Sequence, residues 1–176
     1  MPFFGTYEHS IDAKGRIAIP SDMRRQIQAG TSSVNPQAGS GKGSDGDADE
    51  PTRLYVVPYK REALSIYTEK AYFDLSNDLQ ESDLSDEDFE EYQLMLYSLT
   101  RPVELDKAGR VRLPDDLRAM VNVTASDAVL IGAGDHMEVR DRATWYAKRK
   151  GVLDGKPDVM VNPRMRRKRM ARQEPG

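Results

Sequence analysis

Asp12-Ala13-Lys14-Gly15-Arg16, followed by Pro20 and Arg24, decides how the rest of the chain is read. It returns once, as Asp106-Lys107-Ala108-Gly109-Arg110 followed by Pro114 and Arg118. At a constant offset of 94 positions (106 − 12), Asp12, Gly15, Arg16, Pro20, Asp22 and Arg24 meet the same residue types at Asp106, Gly109, Arg110, Pro114, Asp116 and Arg118. The apolar positions repeat too: Ile11 with Leu105, Ile17 with Val111, Ile19 with Leu113. A duplicated unit therefore organises the chain.

The punctuation of one unit predicts its local structure. Thr6 to Ile11 and Arg16 to Ile19 carry β-branched and aromatic residues in period-two alternation. Between them, Asp-x-x-Gly supplies a turn former and a residue free to take positive φ. Each unit thus opens as strand, tight turn, strand. Pro20 ends the second strand, and Ser21 with Asp22 can cap a short helix whose Met23 and Ile27 share a face. In the second unit Asp115, Leu117, Met120 and Val121 take those parts.

The opening run Phe4 to Pro20, together with the second Asp-x-x-x-Arg, resembles the MraZ family of bacterial transcriptional regulators, built from two AbrB-like swapped-hairpin units. The resemblance covers about residues 1 to 150. It implies an α+β fold in which tandem swapped hairpins form a double-psi or β-barrel-like core with short helices. The expected organisation is a first SpoVT-AbrB-like repeat over 1–82, a connecting amphipathic helix over 83–100, a second repeat over 101–150 and a basic flexible tail over 151–176. The family's DNA-contacting signature falls here on Asp12 with Arg16 and Asp106 with Arg110. The family's intervening base is matched by Lys14, whereas the second copy has Ala108 there and carries its lysine at Lys107. The resemblance further implies a ring-like homo-oligomer that binds G-rich direct repeats upstream of the division and cell-wall gene cluster.

Composition sets limits around that reading. At 176 residues and 38% hydrophobic content, the chain can bury one core shared by two small units. No apolar run reaches the length of a membrane span, and no charged-then-apolar leader opens the sequence, so nothing argues for export or insertion; the resemblance implies a cytoplasmic, nucleoid-associated protein. The absence of cysteine removes disulfide and thiolate chemistry. A net charge of −3 would argue against nucleic acid if it were evenly spread. It is not: residues 74 to 91 hold nine acids and no base, and residues 163 to 172 hold six bases and no acid. A duplex responds to the field within roughly 10 Å, so the global sum does not exclude DNA.

Residues 30–52, rich in Gly, Ser, Asp and Pro, read as a disordered insert in the first repeat. Beyond it, Arg53 to Pro58 and Ala63 to Tyr67 are predicted strands, matched later by Asp127 to Ile131 and Met137 to Arg140. Short helices follow at Thr68 to Asp74 and Arg142 to Lys150, with Tyr72 and Trp145 as core-packing aromatics. Ser85-Asp86-Glu87-Asp88 reads as a capping box for a helix whose apolar face is Phe89, Tyr92, Leu96 and Leu99. The acids of that helix are either a solvated face or a contact for basic surface on a neighbouring subunit.

The inventory for catalysis is thin. Two histidines, His9 and His136, no cysteine, no phosphate-binding Gly loop and no metal-binding spacing leave no enzymatic constellation, cofactor site or small-molecule substrate to propose. His9, beside the motif, reads as a half-buried polar strand residue. DNA binding is better supplied. A turn ending in Gly-Arg presents its guanidinium on a two-stranded ribbon, and such a ribbon fits the major groove. Arg16 and Arg110 suit guanine O6 and N7; Lys14, Lys107, Arg24, Arg112 and Arg118 suit phosphates, with Gly15 and Gly109 shaping the turns. For Arg24 and Arg118 a structural Asp–Arg pairing competes with the phosphate role. The basic tail either adds sequence-independent phosphate attraction, or is merely a disordered terminus or one that pairs with the acidic helix. The rival function is an AbrB-like protein-interaction module of antitoxin type.

Overall fold

The computed structural model describes residues 2–31, 52–81, 83–123 and 127–155, in two compact units, Met1–Arg142 and Ala143–Gly176. The first unit is α+β. Its strands are β1 (Thr6–Ser10), β2 (Arg16–Ala18), β3 (Arg53–Tyr59), β4 (Ala63–Thr68), β5 (Arg101–Glu104), β6 (Arg110–Arg112), β7 (Asp127–Gly132) and β8 (His136–Asp141). Its helices are α1 (Ser21–Thr31), α2 (Glu69–Gln80), α3 (Asp86–Leu99) and α4 (Asp115–Met120); α5 (Arg142–Gly155) leads into the second unit.

Six strands form one antiparallel sheet in the order β1-β7-β8-β4-β3-β5, and β2 pairs with β6 in a separate antiparallel ribbon. The two halves of the sequence exchange strands. β1 of the first half lies on β7 of the second, with Thr6 opposite Ile131, while β5 of the second half lies on β3 of the first, with Leu54 opposite Val103. The order reads the same from either edge, so the duplicated sequence is also a pseudo-two-fold structure. At the centre of the ribbon the equivalent residues Ile17 and Val111 face each other.

The core lies between sheet, ribbon and the helices of the repeats. Ile17, Met23, Ile27, Leu64, Ile66, Leu113, Leu117, Leu130 and Met137 are all essentially inaccessible. Burying each such side chain contributes about 1.5–3 kcal/mol, an upper estimate given a compact unfolded chain. Met23 and Ile27 form the inward face of α1, as their i, i+4 spacing requires. A second cluster, Val57, Tyr67, Tyr72, Leu79 and Leu96, joins α2 and α3 to the sheet. There Tyr55 and Tyr72 stack with ring centroids 4.5 Å apart, and the Tyr72 hydroxyl donates to Thr100.

Several sequence-derived bounds move. α2 runs on to Gln80, because Thr68 caps it by accepting the Ala71 amide and its buried face continues through Ser76 and Leu79. In α3 the Ser85 cap forms and Phe89 and Leu96 pack on the second cluster, with Leu99 half-buried, whereas Tyr92 is 47% exposed. At α4 the cap position is Pro114 without a side-chain bond, since the Asp115 carboxylate pairs with Arg118 instead. α1 reaches Thr31, and Thr52 O accepts the Leu105 amide, so the described structure enters the 30–52 insert from both ends. The rest of the insert, and the tail beyond Gly155, lie outside the described residues; α5 extends helix five residues past the 150 boundary. Tyr72 is buried as expected, whereas no side chain of α5 is, Trp145 included.

Candidate nucleic-acid interface

Each copy of the motif builds the same turn. The Gly15 amide donates to Asp12 O at 2.8 Å, Gly109 to Asp106 O at 2.8 Å, and both glycines sit at positive φ, +73° and +74°. The Asp12 and Asp106 amides close the loops by donating to Arg16 O and Arg110 O. One oxygen of the Asp12 carboxylate accepts the amides of Lys14 and Arg16, each at 2.9 Å; Asp106 does the same for Ala108 and Arg110. This is why aspartate is placed there: a short acceptor that reaches its own turn.

The other carboxylate oxygen faces the arginine. Asp12 Oδ2 takes both Nε and Nη2 of Arg16 at 2.8 Å, and Asp106 Oδ2 takes Nε of Arg110 at 2.9 Å. The guanidinium hydrogen bond of Arg16, with the two turn amides, pulls the Asp12 carboxyl down to about 2. Asp106 is lowered as well, foremost by the Arg110 amide. Both carboxylates are thus charged at neutral pH and hold their arginines from one side, so less side-chain freedom remains to be lost when the guanidiniums meet a ligand.

The turns are clamped by the opposite half. Ile19 N donates to Gly109 O at 2.8 Å and Leu113 N to Gly15 O at 2.9 Å. The ribbon then fixes which side chains face outward. Arg16 is opposite Arg112, Ile17 opposite Val111, and Ala18 opposite Arg110. Alternation turns Ile17 and Val111, both fully buried, into the core and leaves Arg16, Arg110 and Arg112 on the outer face. Arg112 is the most open of the three, 71% exposed with Asp115 at 3.7 Å. Lys14 and Lys107 are exposed on the turns at the ribbon's two ends.

Arg24 and Arg118 sit behind this face. Arg118 is 19% exposed and bonds Asp115 at 2.5 Å, and Arg24 lies against Gly109 of the opposite half. Arg118 thus makes the Asp–Arg pair of the structural alternative, whereas Arg24 packs on the opposite turn and lines an open cleft. An open cleft of about 1610 Å³ borders the second turn, bringing Arg24, Arg53, Lys107 and Arg112 near Asp106 and Asp115. Arg53 was not singled out from sequence; a base at the start of a strand carries no local signal, and only the β3–β5 pairing brings it here. His9, on β1, is half-buried, and burial lowers its pKa. Among the described residues no group of three or more His, Cys, Asp or Glu is placed to hold a metal ion, and no helix is long and apolar enough to cross a membrane.

Residues 96–150, which contain the second turn, match the family model described as MraZ protein, putative antitoxin-like. Over 139 residues the chain is 31% identical to the transcriptional regulator MraZ of Mycoplasmoides gallisepticum, covering 79% of this chain and 81% of that relative. This chain belongs to the MraZ family. That relative matches well beyond residues 96–150, so membership rests on most of the chain rather than on one motif. That relative is named a transcriptional regulator.

Proposed function

We propose that this MraZ protein is a sequence-specific DNA-binding transcriptional regulator whose β2–β6 ribbon reads G-rich direct repeats upstream of the division and cell-wall gene cluster. The observation that carries the reading is the outer face of the ribbon: three arginines over a fully buried Ile17–Val111 pair, two of them fixed by aspartates in turns of identical design. A two-stranded ribbon fits the major groove, and arginine recognises guanine O6 and N7 with paired donors. In this reading Arg16 and Arg110 contact bases, while Lys14, Lys107 and Arg112 contact phosphates. Arg24 and Arg118 support the turns. The exchanged strands are consistent with AbrB-like swapped hairpins closing a barrel-like core.

The protein acts in the cytoplasm at the nucleoid, as a ring-like homo-oligomer in which several ribbons engage repeated boxes together; linked engagement raises affinity steeply even where each contact is modest. Exposed Leu94, Met95 and Tyr97 on α3 supply apolar surface for contact between protein chains. The same surface, with the antitoxin-like description of the family model, supports a second reading as a protein-interaction module.

A binding titration at two salt concentrations separates the two. A duplex with tandem TGGG-type boxes is compared with a scrambled duplex of equal composition. Preference for the boxes that persists at higher salt is the expected result. Equal binding that salt abolishes would reject base readout and leave the protein-partner reading.

A further inference from the structure

The geometry points to Arg112 as the residue that gives the ribbon a direction on DNA, an inference that rests on the DNA-binding reading above. The two halves are related by a pseudo-two-fold axis through Ile17 and Val111, and the backbone obeys it closely. Gly15 N to Asp12 O and Gly109 N to Asp106 O are both 2.8 Å; Ile19 N to Gly109 O and Leu113 N to Gly15 O are 2.8 and 2.9 Å. The Asp–Arg pairs obey it as well. A reader with a true two-fold axis fits a duplex equally in either direction, which is why symmetric proteins pair with palindromic sites.

Each turn tip carries one lysine, Lys14 or Lys107, and within the ribbon's ladder the symmetry breaks at one place. Applying the offset of 94 to Arg112 gives Ala18 (112 − 94), so the guanidinium of one half is replaced by a methyl group in the other. The register converts this difference into an end-to-end asymmetry. At one end of the ribbon Arg16 and Arg112 stand directly opposite each other, beside the turn that carries Lys14. At the other end Arg110 stands opposite Ala18. Like charges directly opposite in a ladder are unfavourable, and an anion between them relieves that cost. Asp115 offsets it only in part: this carboxylate is held mainly by Arg118, at 2.5 Å, and reaches Arg112 at 3.7 Å, leaving that side chain 71% exposed. The Arg16–Arg112 end therefore takes the richer acceptor site, a guanine flanked by backbone phosphate, and the Arg110–Ala18 end the poorer one. The complex is polar, with one preferred orientation on each box.

The chain has no cysteine, so a single thiol reports orientation cleanly. Ala13→Cys, exposed at the tip of the first turn, carries an iron chelate that cleaves nearby DNA, on a duplex holding one box. Wild-type Arg112 is expected to direct cleavage to one flank by at least about fivefold, less than one charge-assisted hydrogen bond to phosphate contributes. Arg112→Ala should bring the two flanks towards equality. Moving the guanidinium across, with Ala18→Arg in the Arg112→Ala background, should move cleavage to the opposite flank. Melting curves matched to those of the parent establish that each variant is folded. Equal flanks in the parent, or an unmoved flank in the exchanged variant while the box is still bound, would overturn the assignment alone. Failure of the parent to prefer the box over a scrambled duplex would overturn the DNA reading and this inference with it.

Discussion

Arg24 of the first half lies against Gly109 of the second, so the turn that presents Arg110 is packed from behind by a residue 85 positions earlier in the chain (109 − 24). A Cβ on Gly109 would come within 2.7 Å of Arg24 Cδ and 2.8 Å of Arg24 Cζ, whereas one on Gly15 would meet Leu113 O at 3.3 Å and Asp115 Oδ1 at 3.4 Å. Both glycines hold positive φ, which costs an alanine roughly 1–2 kcal/mol. Gly109→Ala is expected to lose more than Gly15→Ala, because it adds displacement of Arg24 to the backbone strain. Urea unfolding of the two variants measures the order. Equal losses would mean that Arg24 moves aside without cost.

The aspartates of the turns make stability depend on acid. Asp12 has its carboxyl lowered to about 2 from an ordinary 3.8, by the Arg16 side chain first and then the turn amides. A carboxyl with a depressed folded-state value contributes above the unfolded value and loses that contribution as pH falls through the folded one. Asp12→Asn keeps an oxygen for the turn amides while removing the charge. Its melting temperature should lie below wild type at pH 7, and the gap should narrow between pH 4 and pH 2. A gap that stays constant across that range would assign the effect to shape rather than charge.

How far the sequence could be read depended on how local each cause was. The Asp-x-x-Gly turn is decided by four neighbouring residues, and the Met23–Ile27 face by a single helical turn, so both follow from spacing. The offset of 94 exposed the repeat, and with it the equivalent positions of Arg16 and Arg110. The strand exchange had no such trace, because Thr6 opposite Ile131 is decided by closure of the whole core. Tyr92 illustrates the middle ground. An i, i+3 step and an i, i+4 step both satisfy a helical period, and in the fold Tyr92 stays 47% exposed while Gln93 is half-buried. Arg24 and Arg118 were ambiguous for a related reason: nothing in a sequence distinguishes an arginine that faces a ligand from one that supports a turn.

A second long-range feature invisible in the sequence is the cluster on β4 and β8. Arg140, 8% exposed, bonds Glu138 at 2.8 Å and Glu62 at 3.1 Å, while His136 stacks on Tyr67 and holds Asp135 at 2.8 Å. The hydrogen bond from His136, and then Arg140, outweigh burial and bring the Glu138 carboxyl down to about 2. Arg140→Met should cost about 3 kcal/mol, because Glu138 is left largely buried without its permanent counter-charge. Adding Glu138→Gln removes that uncompensated charge and should recover part of the loss. Chemical denaturation of the two variants tests the coupling; a double variant no better than Arg140→Met would show that packing by the arginine stem, rather than charge, holds the strands.

The DNA reading turns on two guanidiniums in equivalent frames. Because Asp12 and Asp106 anchor each turn mainly through backbone amides, Arg16→Ala and Arg110→Ala leave those bonds and the Ile17–Val111 contact in place. Each variant is therefore expected to fold. Losing one arginine–guanine contact should cost about 1–3 kcal/mol of preference for a G-rich box over a scrambled duplex, while binding to the scrambled duplex falls much less. Lysine at either position restores the charge but not the planar pair of donors, so Arg16→Lys should recover affinity for any duplex without recovering the preference. Titrations of wild type and the three variants against both duplexes at one salt concentration separate these quantities. If lysine recovered the preference in full, the two arginines would be acting as phosphate contacts, and the base-reading role would have to pass to other groups on the ribbon.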